Sequence, residues 1–296
     1  MVALEVAFNG FIMGIFYSLM AVGLSLIFGI LKIVNFAHGE FYMIGGYIYV
    51  LATTYFGVNP LFALFFALLG GGLVGILTER LIMRPLYARY MDLGVAKAEY
   101  SIITTFGLSI LLINVATVIF GPYAVKGPGL GTVERMRLGV FVIGGERIIA
   151  SGIALLILIF GFWFIKCTMW GKKMQAVAQN RYGASIAAID TFKVSMLTLA
   201  LSGGLAASSG ALLSPVFHVY PSVGLLPAVK SFIIVVLGGM GSIYGSIIAG
   251  LLLGVIESYG SFYISTAYKD AFGFLLLIII LIVRPWGLFG ERVREV

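Results

Sequence analysis

Seven long stretches without a single charged residue constrain this chain more than any other feature: residues 6–31, 41–78, 100–125, 148–165, 194–229, 231–256 and 271–283. A helix crossing a bilayer needs about 20 apolar residues, and most of these runs meet that length. The chain is 61% hydrophobic and only 10% charged, whereas soluble domains carry about 25% charged residues. A soluble fold of this size could not cover its own surface. The 39 glycines follow no triplet period and there is one cysteine, which excludes collagen-like and disulfide-framework classes. Cys167 reads as a small apolar filler. Residues 1–5 hold Glu5 and no base, so a cleavable signal peptide is not expected.

None of the runs shows the sustained alternation of a membrane barrel, so the expected fold is an all-α polytopic integral membrane protein. Run 41–78 is too long for one crossing, and Gly57-Val58-Asn59-Pro60 is a turn signal inside it. Run 194–229 carries Pro215, Pro221 and Pro227, and its second part is expected as an ordered loop or short helix at the surface.

Segments 79–99 and 166–193, with the tail from Arg284, hold twelve of the nineteen basic residues. By the positive-inside rule all three should be cytoplasmic. That accounts for the net charge of +7 without nucleic-acid binding. Segment 121–147 is a weaker dissent, forced to the opposite face by the spans on either side of it. Between Lys193 and Arg284 a simple count gives three crossings, which would put the tail outside. The conflict disappears if run 231–256 makes two short passes, broken at Gly238-Gly239-Met240-Gly241-Ser242 and Gly245. The other reading is one long tilted helix with glycines for close packing. Run 6–31 looks like a counterpart: it is interrupted at Gly10, Gly14, Gly23 and Gly29, then runs into the polar stretch Lys32 to Glu40. Interrupted segments in corresponding halves point to a permeation path and an inverted repeat. One permease domain, with halves at 6–120 and 148–283 and eight to ten membrane segments, is expected.

Phosphate-binding, zinc and nucleophile-elbow patterns are absent, so no enzyme is expected and no cofactor is assigned to this chain. The candidates for a translocation pathway are Asn35, His38 and Glu40 at the first break, and Gly238, Gly239 and Gly241 at the second. Polar groups at membrane depth face a cavity or a partner; alternatively the first three cap a helix at the membrane surface. Glu257 reads as interfacial and His218 as a surface residue. Segment 171–190 differs in kind. Met174, Val177 and Ala178 follow helical spacing, as do Ile186 and Ile189, with Gly183 between the two turns. A small helix pair of this sort could dock in a partner's groove or lie on the membrane.

The stretch Asn35-Phe36-Ala37-His38-Gly39-Glu40 with Met43-Ile44-Gly45, and Glu79-Arg80 with Arg84-Pro85, carry a resemblance. So do Gly171 with Ala176 to Gly183, Val236-Leu237-Gly238-Gly239-Met240-Gly241-Ser242, Tyr268-Lys269-Asp270 and Arg284-Pro285-x-Gly287-Leu288-x-Gly290. In order and spacing, over nearly the whole chain, it resembles the H-type permease subunit of the branched-chain amino-acid ABC importers. The resemblance implies an inner-membrane subunit with a cytoplasmic C-terminus, paired with an M-type permease subunit. It implies two cytoplasmic ATPase subunits that carry the ATP and magnesium, and a periplasmic or lipid-tethered substrate-binding protein. It further implies that 166–193 is the coupling segment, with Gln175, Ala176, Ala178, Gly183 and Ala184 at the ATPase contact; Gln175 stands where the broader coupling motif often has an acid. Members also serve urea and short amides. The rivals are a channel or ion-coupled secondary transporter, which should show acids deep in its spans, and a membrane scaffold.

Overall fold

The computed structural model describes residues 2–85, 95–131, 136–138 and 141–290. Arg89 of segment 79–99 and Arg292 and Arg294 of the tail lie outside the described residues. The helices are α1 (Val2–Leu31), α2 (His38–Val50), α3 (Pro60–Thr78), α4 (Val95–Phe120), α5 (Gly145–Cys167) and α6 (Met169–Gln179). They continue with α7 (Arg181–Ile186), α8 (Thr191–Leu213), α9 (Leu225–Gly238), α10 (Ile243–Tyr263) and α11 (Lys269–Val283). A short hairpin, β1 (Met136–Leu138) paired antiparallel with β2 (Phe141–Ile143), lies between α4 and α5. Among the described residues, seven helices are long and apolar enough to cross a membrane: α1, α3, α4, α5, α8, α10 and α11, where π turns or flanking residues extend some of them. Two shorter helices, α2 and α9, are packed among them.

Three contacts define one end of the bundle. The Arg84 guanidinium lies 5.0 Å from the centre of the Phe192 ring, Arg181 reaches Ser195 Oγ, and Lys166 Nζ lies over Tyr244 at 5.1 Å. The basic segments at the end of α3 and around α6–α7 therefore gather there. The tail joins them, because Leu288 N donates to Leu237 O and Phe289 N to Gly238 O. Helix α1 starts at the opposite, far end, where Tyr259 near the end of α10 donates to Ala3 O.

The glycines do not interrupt α1; it is one helix of 30 residues. A glycine costs about 1 kcal/mol in a helix interior, and backbone groups in hydrocarbon have no water to turn to. Their role is close approach: a Cβ at Gly10 would stand 2.7 Å from Val255 Cα, and one at Gly14 would stand 2.7 Å from Leu251 Cα. Helices α1 and α10 thus run antiparallel in backbone contact. The true break follows, at residues 32–37. There the chain turns through left-handed Lys32 (φ 54°), and Phe36 N finds its acceptor in Thr105 Oγ1 of α4.

That break climbs back into the bundle. His38, the first residue of α2, bonds Met20 O and approaches Ser202. Met20 lies eleven residues before the end of α1, and Ser202 eleven after the start of α8. At 1.5 Å per residue, α2 begins about 16 Å inside, near the middle of a hydrocarbon core about 30 Å thick.

The proline-rich stretch between α8 and α9 is not a surface loop. Ser214, Pro215, Val219, Pro221, Val223 and Gly224 are buried, and Val219 bridges to Val125 at the far end. The stretch descends until Gly224 meets Gly39 backbone to backbone, so closely that a Cβ on either would collide with the other. Helix α9 therefore starts at the depth where α2 starts and runs the other way. The break expected in 231–256 is present: α9 ends at Gly238, Gly239 (φ 102°) and Gly241 (φ 88°) turn the chain, and Ser242 caps α10 through Gly245 N; in place of two short passes, however, the break joins the half-helix α9 to α10, which is long enough to cross the membrane. Asn59 likewise caps α3 at the expected turn, with Pro60 in its first position. Cys167 is exposed at the end of α5, not a filler.

Candidate functional site: a cavity above two opposed half-helices

The polar trio of the first break is fully buried: Asn35 and His38 have no exposure and Glu40 has 1%. Asn35 Oδ1 accepts from Ala37 N at 3.1 Å, which fixes the turn into α2. His38 ties α2 to α1 and α8. Glu40 Oε1 accepts from Ser109 Oγ of α4 at 2.7 Å, while Glu40 Oε2 and Asn35 Nδ2 have no hydrogen-bond partner among the described residues. These residues are joined by Phe36, whose ring sits 5.2 Å from Phe232 of α9. They hold together the level at which the half-helices α2 and α9 meet.

Gly238, Gly239 and Gly241 lie elsewhere. They pack at the basic end, against Phe289, Gly290 and Gly29. The positional counterpart of the first break is instead the stretch 214–224.

Above the meeting level a cavity of about 420 Å³ opens toward the far end. Phe16, Met20, Tyr42, Leu213 and Val223 give it an apolar wall, and Met20 is the residue whose carbonyl His38 holds. Exposed Phe217 and His218 stand at its rim. None of the sequence-expected pathway residues lines it.

One side of the cavity is charged. Lys230 Nζ lies 2.5 Å from Glu257 Oε1 and 2.8 Å from Asp270 Oδ1. Lys269 Nζ lies 3.9 Å from Glu257 Oε2, and the Tyr17 hydroxyl donates to the same oxygen at 2.9 Å. Glu257 is 1% exposed, so it is a buried ion-pair centre rather than an interfacial residue. A buried carboxylate is tolerable when charge and hydrogen bonds both answer it, and here α1, α9 and α11 answer it together. In the sequence Lys230 marks only the border between two apolar runs. Its isolation was the available signal: a lone lysine between long apolar segments needs a partner.

The third region is α6–α7 at the basic end. Met174 and Val177 face the bundle, as their spacing predicts. The separating residue is Asn180, not Gly183: Asn180 Oδ1 caps α7 through Gly183 N at 2.8 Å. Side-chain capping lets α7 start at once, so Gly183 lies inside it. Gln175 turns back and donates to Ile165 O at 2.8 Å. Ala176, Ala178 and Gly183 are half-buried and Ala184 is buried, while Tyr182 and Ile186 stand outward, 75% and 71% exposed.

A multi-pass helical bundle whose half-helices start at mid-depth beneath a solute-sized cavity is the construction of a transport protein. Residues 6–281 match the family model described as branched-chain amino acid transport system / permease component. The chain is 34% identical to the high-affinity branched-chain amino acid transport system permease protein LivH of Salmonella typhimurium, over 97% of this chain and 96% of that one. It is 31% identical to the BraD permease protein of Pseudomonas aeruginosa, over 96% and 94%. A probable branched-chain amino acid transport permease of Methanocaldococcus jannaschii is 26% identical over 92% and 88%. No solved structure matches significantly. The chain belongs to the permease family of branched-chain amino acid transport systems.

Proposed function

We propose that this chain is one of two permease subunits of an ATP-driven importer in the inner membrane, carrying branched-chain or related amino acids. The other permease subunit is M-type, two cytoplasmic ATPases bind and hydrolyse the ATP with magnesium, and a periplasmic or lipid-tethered binding protein delivers the substrate. The basic end faces the cytoplasm, as the positive-inside rule requires, which puts the tail inside and Val2 outside. The exposed face of α7, with Tyr182 and Ile186, is the contact for an ATPase.

The observation that carries this reading is the pairing of α2 with α9. Helix α1, a break, α2, α3 and α4 are followed in inverted order of depth by α8, a break, α9, α10 and α11. Two inverted repeats thus place their half-helices face to face. On this reading the second repeat begins at α8, and α5–α7 form an insertion that includes the coupling segment. A cavity open to the far end and closed below at Gly39–Gly224 suits a substrate arriving from outside. Motion of the docked α7 would shift the balance between this state and one open to the cytoplasm, through differential affinity for the two states.

The test is uptake by proteoliposomes that hold both permeases and the ATPases, with the binding protein outside and ATP inside. Leucine, isoleucine, valine, urea and acetamide are compared. ATP-dependent uptake of the amino acids is expected. Passive or proton-driven uptake by the isolated chain would overturn the importer reading. Uptake of urea alone would reassign the substrate. Reporter fusions at each terminus check sidedness, and an external C-terminus would reverse it.

A further inference from the structure

We propose that the cavity is a transit site for a zwitterionic α-amino acid with an aliphatic side chain, in which Lys230 takes the carboxylate and Asp270 takes the ammonium. The inference rests on the permease reading above and names the residues that meet the substrate.

The cavity is amphipathic in the way such a molecule requires. Phe16, Met20, Leu213 and Val223 offer an apolar surface, and Lys230, Lys269 and Asp270 line the other side. The charged cluster of two lysines and two carboxylates is internally balanced. A carboxylate alone would draw a donor from Asp270 and return none to it, and an ammonium alone would find no partner for the donor that Lys230 gives up, so each would forgo one charged hydrogen bond. A zwitterion adds no net charge and can exchange partners with a pair already present.

The geometry shows which pair exchanges. Glu257 accepts from Tyr17 and Lys230, has Lys269 Nζ at 3.9 Å and is almost wholly buried, so it anchors Lys230. Asp270 is 54% exposed at its side chain and is held by Lys230 alone among the ion pairs of the described residues. An ammonium group has three donors. Lys230 can therefore keep Glu257 while turning another N–H from Asp270 to a substrate carboxylate, and Asp270, released, can accept from the substrate ammonium. No proton or covalent bond changes hands. Occupation would thus replace the direct α9–α11 link by one that runs through the substrate.

The experiment is binding of radiolabelled L-leucine to the complete transporter in nanodiscs without nucleotide or binding protein. The competitors are 4-methylpentanoate, which lacks the ammonium, and 3-methylbutylamine, which lacks the carboxylate. Each is expected to compete about 10- to 100-fold more weakly than unlabelled leucine, the value of one charged hydrogen bond. Asp270→Asn, at an exposed position, should weaken leucine by about tenfold or more and leave 4-methylpentanoate unchanged. Leu226→Trp, which fills the cavity from an exposed position, should abolish binding and raise the half-saturation concentration for uptake. Equal competition by the single-charge analogues, wild-type leucine binding in both variants, or no leucine binding by a transporter that imports leucine would overturn the site and leave the permease reading standing. A wild-type transporter that imports no amino acid would overturn the permease reading, and the site with it.

Discussion

Removing Lys230 isolates the physics of the buried ion cluster. In Lys230→Met the two carboxylates lose the same partner, but their situations differ. Asp270 is half exposed and regains water. Glu257, 1% exposed, cannot. Breaking a buried pair by deleting one partner costs about 3–5 kcal/mol. The Tyr17 hydroxyl at 2.9 Å and Lys269 at 3.9 Å stay in place, so the stranded charge keeps part of its compensation. The loss expected therefore lies at the low end of that range, about 3 kcal/mol. Glu257→Gln on top of Lys230→Met removes the stranded charge while the amide oxygen still accepts from Tyr17, so it should restore at least half of that loss. The assay is reversible denaturation of the purified chain in mixed micelles, scored by loss of helical signal against SDS mole fraction. A wild-type midpoint for Lys230→Met, or a double variant no better than the single, would refute the reasoning, because Glu257 would then not depend on its ion pair.

Gly10→Leu should destabilise the chain by about 1–3 kcal/mol in the same assay, since its side chain would drive the α1 and α10 backbones apart; Gly107→Leu, where no described residue lies within 4 Å of an added Cβ, is the matched control and should be silent. Asp190 caps α8 through Phe192 N and Lys193 N, and these hydrogen bonds, with Lys193, hold its carboxyl below the usual aspartate range. Its ionised form is thus favoured by folding. Asp190→Ala should cost about 1 kcal/mol near neutral pH, and the gap to wild type should close as pH falls below the ordinary aspartate value. A gap that persists in acid would reject the cap as its source. Gly183→Trp should abolish ATP-dependent uptake while membrane insertion persists, because the ring must find room beside Asn180 on the exposed α7; unchanged uptake at equal expression would remove α7 from the coupling contact.

Much of the plan was legible before any folding was considered. Charge-free runs mark the membrane segments, because hydrocarbon penalises every ion, and the basic segments mark the end at which they gather. The tail's position follows from the same rule and needs the break at Gly238 to Ser242, which is present. Periodicity placed Met174 and Val177 on the inner face of α6 correctly. Local signals failed where two backbones decide the outcome. Gly10 and Gly14 read as interruptions of α1, yet each is a seat for α10, since a glycine cannot announce whether it bends its own helix or admits another.

Distance along the chain hid the rest. Met20, His38 and Ser202 share one hydrogen-bonded cluster, and Gly39 meets Gly224, although up to 185 residues separate their members. In the sequence Tyr17 sits inside one apolar run and Lys230, Glu257, Lys269 and Asp270 stand at the edges of others, and only folding sets them together on one side of the cavity. Apolar content and charge placement are properties of each segment against its solvent, so the amino-acid order alone settles which parts enter the membrane and which end they share. Ion pairing and backbone contact are properties of surfaces that meet only after the helices pack, so the cavity, its charged wall and the opposed half-helices beneath it were decided by the tertiary structure.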